Sequence, residues 1–144
     1  MTTRNVSICI FYDKESRNII IQERDNHSKV GEKYGFWGGG MLNGESKEQA
    51  LYRELREELG YKPKEIEYLY KHQIKITTEG IYKDWIVNIH VFVSPITKEL
   101  RECKVNEGKS MIEMNIDKAI EQKDDFLEDT VDILKKVKRE ILSK

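Results

Sequence analysis

The stretch FWGGGMLNGESKEQALYRELREELGY, from Phe36 to Tyr61, narrows the fold more than any other part of the chain. It opens on three consecutive glycines, Gly38 to Gly40. Glycine lets a backbone take φ > 0 and come close to another group, so the run reads as a loop that other residues could not build. A helix is expected to follow, from about Lys47 to Leu59. Ser46 is its N-cap, and Gln49, three residues on, completes a capping box. Gly60 ends it, with Pro63 just beyond. On a helical wheel, Leu51, Leu55 and Leu59 form one stripe. Glu54, Glu57 and Glu58 form a second patch, roughly a right angle away. The leucines are left to pack, and three carboxylates are presented elsewhere.

Such a patch carries a cost. Like charges four apart on a helix repel by about 0.2–0.5 kcal/mol per pair. One reading is a solvated face laced with ion pairs, in which Arg53 meets Glu57 and Arg56 helps. The other is that a bound cation relieves the repulsion. Hard divalent cations take oxygen ligands, commonly carboxylates together with substrate phosphates. A glycine carbonyl beside the helix supplies one more oxygen.

The remaining chain sets the frame. The 144 residues are expected to form one domain. Hydrophobic residues make up 38% and charged residues 35%, polar for a globular protein, but the apolar positions are patterned. The net charge of −1 gives no general field for nucleic acid or membrane. No apolar run is long enough to span a bilayer, and the N-terminus lacks a signal-peptide core. Cys9 and Cys103 have no metal-ligand or redox spacing, and Cys9 reads as a buried thiol. The cytoplasm is the expected compartment.

Val6 to Tyr12 and Ile19 to Arg24 read as two strands around a polar turn. Tyr34 to Trp37 reads as a short aromatic strand running into the glycines. Ile66 to Ile76 and Trp85 to Val93 read as two more, turning at Glu79-Gly80. In the latter, Trp85, Val87, Ile89, Val91 and Val93 share one face, with Asn88, His90 and Phe92 on the other. Ser94 to Gly108 reads as a charged loop, and Ser110 to Asn115 as a last strand. Asp117 to Gln122 is a helical turn. Asp124 to Leu142 reads as a long amphipathic helix burying Phe126, Val131, Leu134, Val137 and Ile141. The order suggests a mixed α/β sandwich.

The joint spacing of the glycine–glutamate segment resembles the Nudix box, G-x5-E-x7-R-E-U-x-E-E-x-G-U, where U is bulky and apolar. Gly39, Glu45, Arg53, Glu54, Leu55, Glu57, Glu58 and Gly60 all fall in place. Tyr61, aromatic rather than aliphatic, stands at the final U. The box covers Gly39 to Tyr61, and the flanking order of strands and closing helix resembles the Nudix fold more weakly.

That resemblance implies an α/β/α sandwich with a mixed sheet, the loop–helix, and a C-terminal helix. It implies a hydrolase of a phosphoric anhydride bond in a nucleoside diphosphate linked to another group, using Mg²⁺ or Mn²⁺. Carried over by position, Glu54, Glu57 and Glu58 would bind metal, together with the Gly39 carbonyl. Arg53 would orient a glutamate, and Glu45 would brace the loop. The proton acceptor would be Glu54 or Glu107; the latter precedes Gly108 and otherwise reads as a plain turn. Glu128 and Asp129, near the start of the last helix, would meet the base, or merely compensate the helix dipole. Arg24, His27, Lys29 and Lys33 would meet phosphates, or simply be solvated. Tyr34, Phe36 and Trp37 would stack on a base, or belong to the core. His72 and His90 show no partner spacing. Leu42 stands where many members carry an acid.

The leading expectation is a MutT-like enzyme that cuts a nucleoside triphosphate, modified or not, to monophosphate and pyrophosphate. The alternatives are hydrolysis of another linked diphosphate (a dinucleoside polyphosphate, an ADP-sugar, a capped RNA end) and a non-catalytic nucleotide sensor. Sensors usually lose box glutamates, and this chain keeps them all. The partner is a nucleotide-type small molecule; neither a membrane nor duplex nucleic acid is expected, and a homodimer stays open.

Overall fold

The computed structural model describes residues 2–24, 33–105, 109–126 and 128–143. Its central strand is β1 (Thr3–Asp13), whose alternation sorts side chains to two faces of the sheet. Ile8 and Ile10 enter one core; Cys9 and Phe11 enter the other. β2 (Asn18–Arg24) returns antiparallel, sending Ile19 and Ile21 to the first core and Ile20 to the second. Two short strands follow, β3 (Tyr34–Gly35) on β2 and β4 (Trp37–Gly40) on β1. The glycine run is therefore a strand and not the expected loop. It pairs antiparallel with Val6, Ser7 and Ile8, a partner some thirty positions upstream that local pattern does not reveal.

Helix α1 (Lys47–Leu59) has the expected ends. Ser46 accepts from the Gln49 N–H, Gln49 answers to the Ser46 N–H, and Gly60 stops the helix at φ 62°. Leu51, Leu55 and Leu59 pack with Trp37, Phe92 and Tyr61 on the sheet's second face. Tyr61 fills its position as a core residue. Its ring meets Phe11 edge-on at 5.9 Å, and its hydroxyl lies 2.6 Å from Thr97 Oγ1.

β5 (Glu67–Lys75) pairs antiparallel with β6 (Ile86–Pro95), and β6 runs parallel to β1. Val91 and Val93 face the first core and Phe92 the second, as the alternation required. The expected charged loop contains a short helix, α2 (Lys98–Arg101), capped by Thr97. β7 (Lys109–Asn115) returns to pair with β2. The strand order is β3-β2-β1-β6-β5, with β4 also on β1 and β7 also on β2.

The C-terminal helix begins later than expected. α3 (Ile116–Glu121) is followed by a 3₁₀ turn at Lys123–Asp125, then α4 (Glu128–Val137) and a π-type turn at Lys138–Leu142. Phe126 is buried as expected, but from the bend between the helical pieces, against Tyr34. Val131, Leu134, Val137 and Ile141 form the buried stripe, joined by Ile133 and Leu142. Helix α1 covers one face of the mixed sheet and the C-terminal helices the other, which is the α/β/α sandwich.

Candidate active site

The site grows from β4. Gly38 has φ +137°, and a Cβ there would lie 2.1 Å from Ser7 O. Only glycine lets this strand lie so close to β1. At Gly39 the obstacle is different: a Cβ would stand 2.5 Å from the carboxyl carbon of Glu54. Gly39 thus clears the space that the Glu54 carboxylate fills.

Arg53 holds the next layer. Its guanidinium donates to both oxygens of Glu45 at 2.7 and 3.0 Å, to Glu54 Oε1 at 3.0 Å, to Glu57 Oε2 at 3.5 Å and to Gly40 O at 2.8 Å. A planar fork of five N–H donors can span such a set, whereas an ammonium cannot. Glu45 also accepts from the Leu42 N–H at 2.8 Å, so it ties the turn after β4 to α1. The Arg53 hydrogen bonds hold the Glu45 carboxyl below its ordinary pKa, with the Leu42 N–H adding to the effect. The same contact with Glu45 raises Arg53 above the usual guanidinium value.

Glu58 is the most enclosed of the three patch carboxylates, its side chain 10% exposed against 56% for Glu57. A buried carboxylate needs partners. Oε1 accepts from the Gly38 N–H at 2.8 Å; Oε2 accepts from Lys109 Nζ at 2.8 Å and Gln22 Nε2 at 3.4 Å. Arg24 Nε in turn donates to Gln22 Oε1 at 3.4 Å, which places Arg24 beside this network. The expected repulsion within the patch is thus offset in the protein itself, by Arg53 and Lys109.

Other expected residues fall elsewhere. Tyr34 and Trp37 are core, and Phe36 packs against the first core. Glu107, His27 and Lys29 lie outside the described residues. Glu128 opens α4, and Asp129 beside it faces His72, whose Nε2 lies 3.0 Å from Asp129 Oδ1. Tyr70 Oη meets the other ring nitrogen at 3.2 Å. Burial pushes the Tyr70 hydroxyl up to about 12, with Asp132 adding to the rise. His72, Asp129 and Asp132 bring their donor atoms within 4.8 Å of one another. His72 therefore does have a partner, 57 positions away.

Three residues at these networks had no role in the sequence reading: Gln22, Lys109 and His72. Gln22 left a trace, a polar side chain directly after Ile19-Ile20-Ile21 on a buried strand. Lys109 left none, because its partner lies 51 positions away.

The NUDIX domain model matches residues 1–136. The chain belongs to the Nudix family. It is 43% identical over 53 residues to an RNA pyrophosphohydrolase of Aeromonas hydrophila, a match spanning 33% of this chain and 30% of that protein. Its fold is similar to that of the Escherichia coli ORF135 protein, with a TM-score of 0.69 and 23% identity over 97% of this chain and 93% of that one. MutT NUDIX hydrolase from Burkholderia pseudomallei gives the same score at 19% identity, over 95% of this chain and 99% of that one. These structural likenesses, all under 25% identity, are likenesses of fold. No helix among the described residues is long and apolar enough to cross a membrane.

Nudix hydrolases generally use divalent metals, and the residues present fit one. The donors are hard oxygens. Glu58 Oε2 already faces a cation, the Lys109 ammonium, and Gly39 leaves room for the Glu54 carboxylate.

Proposed function

We propose that this domain cuts a nucleoside triphosphate to a nucleoside monophosphate and pyrophosphate. One observation carries the reading: the box glutamates are gathered against the glycine strand, Glu54 filling the space at Gly39 and Glu58 accepting from the Gly38 N–H. Glu54, Glu57 and Glu58, with the Gly39 carbonyl, would hold Mg²⁺ or Mn²⁺. Held there, the cation would supply charge to neutralise the polyphosphate and would make a bound water more acidic. Arg53 and Glu45 fix the turn and helix against each other. A water oxygen bonds to phosphorus as the bridging P–O bond breaks, and a carboxylate takes the water's proton. Arg24, which donates to Gln22, would meet a phosphate. Asp129, braced by His72, and Glu128 are assigned to the base. The soluble cytoplasm is the proposed compartment.

A substrate panel with Mg²⁺ tests this, scored separately for pyrophosphate and orthophosphate. Nucleoside triphosphates are expected to release pyrophosphate, and chelation to stop turnover. Glu57→Gln is expected to lose about a hundredfold or more with its fold intact. Undiminished turnover by that variant in Mg²⁺ would remove Glu57 from the metal site. The match to an RNA pyrophosphohydrolase favours a second reading, a 5′-triphosphorylated RNA end, so such an RNA belongs in the panel. Preference for it over free nucleotides would overturn the first reading.

Glu107 is the proposed proton acceptor and Glu54 the alternative, and two variants compared at saturating substrate and Mg²⁺ decide between them. Glu107→Gln is expected to lower kcat by about 10²–10⁴-fold while sparing metal affinity. Glu54→Gln is expected to weaken metal binding as well. A kcat that falls only in Glu54→Gln would move the base to Glu54.

A further inference from the structure

Arg53 and Lys109 both neutralise box carboxylates, but they are built differently. Arg53 is pinned by five hydrogen bonds to four residues. Lys109 reaches Glu58 Oε2 from the start of β7, on a side chain 36% exposed. An ammonium on a four-carbon stem is a mobile point charge with rotatable donors. Glu58 Oε1 is already engaged by the Gly38 N–H, so Oε2 is the oxygen available to a metal, and Lys109 sits on it.

We propose that Lys109 is a tethered counter-ion that holds Glu58 in the metal-free protein and gives up Oε2 when the divalent cation binds. The proposal rests on the reading of Glu58 as a metal ligand. Without a cation, Glu58 would be a carboxylate enclosed at the junction of α1, β2 and β4 with amide donors alone. The ammonium keeps that junction formed. A divalent cation and an ammonium repel strongly at contact distance, so they do not share one oxygen. Lys109 therefore competes with the metal and lowers its affinity. The exchange is a side-chain rotation: Gly38 keeps Glu58 oriented while Oε2 changes partner.

The test is Mn²⁺ binding to the protein without nucleotide, followed by the electron paramagnetic resonance signal of free Mn²⁺. Lys109→Met and Lys109→Gln are expected to bind about three- to tenfold more tightly than the parent. Lys109→Arg, which keeps the charge, is expected to bind no more tightly than the parent. Lys109→Met is also expected to melt lower than the parent in chelator and to gain more from added Mn²⁺. Either neutral variant decides the question if the other fails to fold. Glu58→Gln separates the two layers of the argument. If it binds Mn²⁺ more weakly while the neutral Lys109 variants bind as the parent or worse, the counter-ion role is wrong and Glu58 remains a ligand. If Glu58→Gln binds Mn²⁺ unchanged, the ligand reading itself is wrong.

Discussion

Gly38→Ala is expected to destabilise the fold severely, whereas Gly39→Ala is expected to spare the fold and damage catalysis. The two glycines are neighbours on β4, but their missing side chains face different groups. At Gly38 a Cβ would meet backbone, 2.1 Å from Ser7 O and 2.7 Å from Ile8 Cα, at a φ of +137°. Backbone of the central strand cannot withdraw without breaking the β1–β4 pairing. The Gly38 N–H to Glu58 would go with it. The expected loss is about 4 kcal/mol or more, the range of severe core and backbone lesions. That corresponds to a fall in Tm of roughly 10 °C or more. At Gly39 the Cβ would meet the carboxylate of Glu54, a side chain able to move. Gly39→Ala is therefore expected to keep Tm within a few degrees while kcat falls about tenfold or more, because Glu54 leaves its place. Thermal melts and steady-state kinetics of both variants check the contrast. A Gly38→Ala protein as stable as the parent would show that β4 is not held against β1.

The second large effect is expected at Arg53. Arg53→Met removes the hub shared by Glu45, Glu54, Glu57 and the Gly40 carbonyl. Three carboxylates then face one another without it, and the turn after β4 loses its tie to α1. The expected fall in kcat is about a hundredfold, the upper range for residues that orient ligands. Arg53→Lys is expected to recover little, since one ammonium cannot serve four acceptors in a plane. The same hub gives a pH signature. Arg53 lowers the Glu45 pKa, so ionised Glu45 favours the folded site. The contribution is complete above the unfolded glutamate value, about 4.3, and is lost as pH falls through the lower folded value. Acid titration of Tm should show this limb in the parent and a shallower one in Arg53→Met. Identical acid limbs would show that Glu45 gains nothing from Arg53.

What the sequence by itself determined is what neighbours along the chain decide. The Ser46–Gln49 capping box, the left-handed stop at Gly60 and the Leu51, Leu55, Leu59 stripe all rest on spacings of a few residues. The two-residue alternation of β6 puts Val91 and Val93 on one core and Phe92 on the other for the same reason. The spacing of Arg53 to Glu57, one helical turn, is likewise seen as an ion pair. The box motif joined these local facts to a family and a fold.

Only the tertiary structure decided the rest. That Gly38 to Gly40 form a strand depends on Val6 to Ile8 lying alongside, and glycine has no strand preference to announce it. The sequence offers ion pairing through Arg53 or a bound cation to relieve the glutamate patch, yet part of the relief comes from Lys109, on a strand whose register against β2 sets where its side chain reaches. His72 carried no spacing signal, because Asp129 comes to it across the sheet face from α4. Each of these contacts is fixed by the pairing of strands or the docking of a helix, and such long-range registers arise from the packing of the whole core.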